Sequence, residues 1–178
     1  MTDTVESAAT EQACLYKRLG GYDAIATFAA EVVKRAMLDD TIGDYWDHKS
    51  EDEVFEEVSN FVDWLSAHWG GPARYHGRDL VTVHRGMGVT EEHWDALFAL
   101  IDKAYDDFAL PHDLREEVDT FLRAFKPAIV GSPSYRQVVI DHPDMDISKG
   151  MKSVGVHWPV APVPRNKPDR LVGPASGI

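Results

Sequence analysis

The chain has 178 residues, 44% of them hydrophobic, and a formal net charge of -12. Length and composition fit one globular domain with a real core and some chain left over. The acidic balance excludes binding to nucleic acid or to an anionic membrane surface, because both need clustered Lys and Arg.

Cys14 is the single cysteine, so no internal disulfide is possible. Met1 to Ala13 is polar and lacks the apolar core of a signal peptide. No run approaches the ~18 apolar residues of a transmembrane helix. These features predict a soluble, cytoplasmic protein.

Residues 1–14 read as a flexible lead-in. Leu15-Tyr16-Lys17-Arg18-Leu19 is a short amphipathic turn stopped by Gly20-Gly21. Ile25, Phe28, Ala29, Val32, Val33, Ala36 and Met37 then recur at helical spacing, predicting a helix from Asp23, its N-cap, to Asp39. Thr41 to Trp46 reads as a short helical piece. Ser50 and Glu53 form a capping box. It opens a helix whose apolar face is Val54, Val58, Phe61, Val62, Leu65 and Trp69. Gly70-Gly71-Pro72 ends it.

Asp79 to Arg85 has room for about two helical turns, with His84 near the end. Thr90 caps the next long helix, which runs to Phe108. A second capping box, Asp113 with Glu116, predicts a helix to Val130 with a bend at Pro127. Beyond Val130, seven of the ten prolines fall in 131–178 and no amphipathic period persists. That segment reads as an extended tail, partly wrapped on the domain through Tyr135, Val138, Val139, Ile140 and Trp158. The stretch from Pro159 onward is expected to be disordered.

The fold class is therefore all-α, with the domain at 15–130 and a proline-rich extension at 131–178. A histidine on a very short helix between glycine joints suggests placement for chemistry. The helices carry aromatic inner faces around it. Such a set suits a plain helical bundle, or a pocket for a flat apolar cofactor whose iron sits on the histidine.

Leu15-Tyr16-Lys17-Arg18-Leu19-Gly20-Gly21 resembles the opening of the truncated haemoglobins, as does Asp39-Asp40 followed by Tyr45-Trp46. Gly70-Gly71-Pro72 with Tyr75, Gly77 and His84 is similar to that family's loop and proximal histidine. Gly88-Val89-Thr90 with His93-Trp94 is similar to the start of its next helix. The resemblance covers 15–130 and is strongest to the family's first group. It implies a two-over-two helical sandwich around haem b, with His84 as the proximal metal ligand. It also implies binding of oxygen, nitric oxide and carbon monoxide. Some members detoxify nitric oxide, for which a reductase is the expected partner.

On this reading, the second ring N–H of His84 needs an acceptor, and the Leu80 carbonyl is one turn back. Trp46, Val58, Phe61, Leu65, Val83, Val89, Trp94, Leu97 and Ile129 are placed to line the pocket. Tyr75, with Arg74, Arg78 and Arg85, is placed near the propionates.

The chain also departs from the family. Val33 falls where the first group usually carries a tyrosine. Glu57 and Phe61 take two facing-helix positions that are often polar. With Tyr45, these residues make a mainly apolar distal ligand pocket, in which Tyr45, Asn60 and His68 are the available donors. The alternative function is a non-catalytic helical sensor or interaction domain that uses the tail for a partner.

Overall fold

The structure is a computed structural model and describes residues 13–146. Among these, regular structure is helical, apart from one isolated bridge between Met87 and Ser134. Helix α1 spans Leu15–Arg18, α2 spans Tyr22–Leu38, and a 3-10 turn occupies Gly43–Trp46. Helix α3 is Glu51–His68, α4 is Leu80–His84 and α5 is Glu91–Asp107. Helix α6 is His112–Arg123, α7 is Lys126–Ile129 and α8 is Tyr135–Asp141.

Periodic apolar faces bring the long helices together. Helix α2 packs against α3, α5 and the 3-10 turn. Ala36 and Ala104 are fully buried on α2 and α5, and small residues let backbones approach. Phe28 stacks on Tyr105 with ring centroids 5.5 Å apart, joining α2 to α5. Trp64 of α3 lies against Phe121 and Phe125, at centroid distances of 5.4 and 5.3 Å. Helices α5 and α6 form an antiparallel hairpin. Across it the Tyr105 hydroxyl donates to Asp119 at 2.8 Å, and Arg115 donates to Asp106 and to the carbonyls of Tyr105 and Leu110.

Caps set the ends of the site-bearing helices. Ser50 accepts from the Glu53 N–H, and Glu53 accepts from the Ser50 N–H, closing the box predicted for α3. Asp79 accepts from the Thr82 N–H at 2.9 Å and starts α4 one residue later than predicted. Thr90 caps α5, with His93 in the place of the usual carboxylate. Gly71 opens the loop after α3 where a side chain has no room. A Cβ there would lie 2.3 Å from Ser66 Oγ and 2.6 Å from the Tyr16 ring.

Several expectations are corrected. Helix α2 begins at Tyr22, not with Asp23 as cap, because the Tyr16 hydroxyl accepts the Tyr22 N–H at 3.0 Å. Asp23 instead lies in the first turn, where a carboxylate favours the helix dipole. The piece predicted from Thr41 shortens to the 3-10 turn, because Asp39 accepts from the N–H groups of Thr41 and Ile42. Asp113 does not cap α6. The helix starts at His112 behind Pro111, with no side-chain cap.

The predicted helix to Val130 breaks at Ala124–Phe125. Pro127 lacks an N–H and crowds the carbonyl four residues back, so it sits in the first turn of a separate α7. The start of the extension is not extended. Ser134 accepts from the Gln137 N–H and begins α8. The expectations for residues 1–12 and for Trp158 and the chain beyond it lie outside the described residues.

Candidate functional site

The site is built around His84, the last residue of α4. Its Nδ1–H donates to the Leu80 carbonyl at 2.8 Å, because a carbonyl only accepts. The acceptor lone pair therefore stays on Nε2. Burial pushes the imidazole below its ordinary value, while the Leu80 carbonyl and the Glu57 carboxylate act in the opposite direction. The net result is a neutral, oriented imidazole, the form that ligates a metal.

Glu57, half-buried on α3, accepts from Trp46 Nε1 at 3.1 Å and pairs with Lys49. Its carboxylate is close enough for its charge to act on His84. The sequence reasoning named Glu57 and Trp46 but missed Lys49. The Lys49 to Glu57 pair crosses the turn into α3, and no helical spacing signals it.

The predicted wall residues divide by burial. Leu65, Val89, Trp94 and Ile129 are buried in the core cluster. Tyr45, Val58, Phe61, Tyr75 and Leu97 are partly buried against it. Val83 and Trp46 are half-buried and stand apart from that cluster, as does Val33. Val33 neighbours Val32, which points into the core with 7% exposure.

The polar groups are largely committed. The Thr90 N–H donates to His93 Nδ1 at 3.3 Å, so that nitrogen is an acceptor. The Tyr45 hydroxyl therefore donates to the same nitrogen, at 2.7 Å. Burial pushes the Tyr45 phenol up to about 12, so it keeps its proton. His68 bonds through Nδ1 to the Trp64 carbonyl at 2.7 Å and lies against the Trp64 and Phe121 rings. Asn60 is exposed. The Tyr75 hydroxyl donates to the Arg78 carbonyl at 2.7 Å, and Arg74, Arg78 and Arg85 are exposed.

These residues fit an iron porphyrin better than a bare ion. No group of three or more His, Cys, Asp or Glu side chains converges for a metal among the described residues. A metal on His84 would need its other ligands from a cofactor. Trp94 Nε1 is buried with no hydrogen-bond partner among the described residues.

Comparisons with known proteins bear on the family and the fold. A family model described as bacterial-like globin matches residues 14–130. The group 1 truncated hemoglobin of Tetrahymena thermophila is 25% identical over 87 residues, covering 49% of this chain and 69% of that protein. A group 1 truncated hemoglobin of Synechocystis is 24% identical over 131 residues, covering 71% of this chain and 97% of that protein. In fold, the chain is similar to the truncated hemoglobin of Tetrahymena pyriformis, with a TM-score of 0.61 and 19% identity, over 67% of this chain and 100% of the other. It is also similar to the group II truncated hemoglobin of Bacillus anthracis, with a TM-score of 0.59 and 20% identity, over 68% and 94% of the two chains.

Proposed function

The chain belongs to the bacterial-like globins and, with them, to the truncated haemoglobins, which bind haem and gas ligands; from that premise we propose that His84 is the proximal ligand of haem b and that the site handles oxygen, nitric oxide and carbon monoxide. The observation that carries this reading is the His84 to Leu80 hydrogen bond, which turns Nε2 outward from its own helix as a lone-pair donor.

The iron of a bound haem supplies the affinity for a diatomic gas. The chain supplies the rest. Val58 and Phe61 on α3 and Leu97 on α5 offer apolar contact to a flat ring and keep water out. Leu80 holds the imidazole in one tautomer. Glu57, tied to Trp46 and Lys49, places a fixed carboxylate within electrostatic reach of His84.

The side opposite His84 favours redox turnover over oxygen storage. Val33 offers no hydrogen bond, and the Tyr45 hydroxyl is given to His93. A nitric-oxide dioxygenase activity, with a reductase restoring ferrous iron, fits that chemistry.

The test is reconstitution of the full chain with iron protoporphyrin IX. The expected result is stoichiometric uptake, an intense Soret band and reversible carbon monoxide binding in the ferrous state. A chain that leaves the haem in solution overturns the proposal.

A further inference from the structure

The loop behind His84 is held by residues that lie beyond the part of the chain matched as a globin, which ends at 130. The Gly131 N–H donates to the Val89 carbonyl at 2.9 Å, and the Tyr135 N–H donates to the Gly86 carbonyl at 2.9 Å. Between them, Ser134 forms an antiparallel bridge with Met87. Met87 in turn donates its N–H to the carbonyl of His84 itself, at 3.2 Å.

The Tyr135 ring lies on Gly86. A Cβ on Gly86 would stand 2.3 Å from the ring, and its φ of +81° is strained for any side chain. The glycine thus gives the aromatic ring a flat seat two residues from His84.

Helix α4 needs such support. It has five residues and none is fully buried, and a single turn of that length does not hold itself in water. Asp79 fixes its start. The contacts at Gly86, Met87 and Val89 fix its end.

We propose that residues 131–141 form a strap that positions His84, with Tyr135 as the positioning residue at its centre. The strap keeps α4 seated, and so holds the imidazole in one place and orientation. This role rests on His84 being the iron ligand, as proposed above; the strap itself does not.

Tyr135→Ala and Tyr135→Phe in the full-length protein test it. In the apoprotein, Tyr135→Ala should speed amide exchange at Met87 and Gly131 about tenfold, equivalent to about 1.4 kcal/mol. Tyr135→Phe keeps the ring and should match the wild type. In the holoprotein, Tyr135→Ala should speed haem transfer to excess apomyoglobin and shift or broaden the ferrous iron–histidine stretching band. A merely structural role would lower the melting temperature and leave that band in place. Should Tyr135→Ala fail to fold, Tyr135→Leu gives the same comparison with a smaller contact.

Unchanged exchange in the alanine variant overturns the strap. Faster exchange with unchanged haem transfer and an unchanged band overturns its hold on His84. A wild-type chain that takes no haem overturns the haem reading and the positioning role with it, while the exchange rates still decide whether the strap exists.

Discussion

His84→Ala is expected to abolish the five-coordinate, histidine-ligated ferrous spectrum. The substitution removes the only imidazole on α4 and leaves the apolar side chains of Val58, Phe61 and Leu97 in place. Haem should therefore still associate, loosely and with altered colour, and externally added imidazole should restore part of the spectrum. An unchanged ferrous spectrum in the variant would eliminate His84 as the ligand.

The same residue predicts a pH response of the apoprotein. Burial lowers the His84 imidazole from its ordinary 6.5. The unfolded chain therefore takes up a proton that the folded chain resists. The stability linked to neutral His84 is present above about 6.5 and declines as the pH falls below it. Urea midpoints across that range should show the decline in the wild type and a flatter profile in His84→Ala.

Val33→Tyr is the second large expected effect. Oxygen held in such a pocket is polarised, and a nearby donor stabilises it more than carbon monoxide. A hydrogen bond to a charged group contributes about 1.5–3 kcal/mol, roughly 10- to 150-fold in an equilibrium constant. In the wild type Val33 has no donor to give, and the Tyr45 hydroxyl is engaged by His93 at 2.7 Å. Wild-type oxygen release should therefore be fast, and oxidation to the ferric state ready. Val33→Tyr should slow oxygen release by a factor in that range while changing carbon monoxide release much less. Slow wild-type release that Val33→Tyr leaves unaltered would mean that another residue is the donor. Alanine variants of Tyr45, Asn60 and His68 would then find it.

Much of the fold was legible because the relevant signals are local. The apolar spacing along α2, α3 and α5 and the Ser50–Glu53 box are contained within single helices. So is the His84 to Leu80 bond, one helical turn apart. What was missed was local geometry that outranks apolar spacing, or a partner outside the helix concerned. Tyr16, not Asp23, closes the start of α2. Proline geometry at Pro127 outweighs the continuous apolar spacing from Leu114 to Ile129. Helix α8 forms in a proline-rich region because Ser134 caps it and Gly86 receives Tyr135. Of these, only the Gly86 seat for Tyr135 lies far away in the chain. The Tyr45–His93 bond was hidden by distance in the chain, and the Lys49–Glu57 pair because it crosses the turn into α3 at no helical spacing.

The first helix has a consequence for how the chain assembles. At four residues, α1 cannot nucleate alone. Its Tyr16 N–H bonds to the Trp69 carbonyl at 3.0 Å, and Arg18 Nη2 donates to both carboxylate oxygens of Glu117. Both partners are distant in sequence, so α1 acquires its order only after α3 and α6 are in place. Loop closure on that scale is slow compared with forming the α5–α6 hairpin, whose contacts are local. The N-terminal turn is thus expected to dock last, and because Leu15 is buried in the core cluster and Tyr16 closes the start of α2, its release should loosen the first turn of α2 with it.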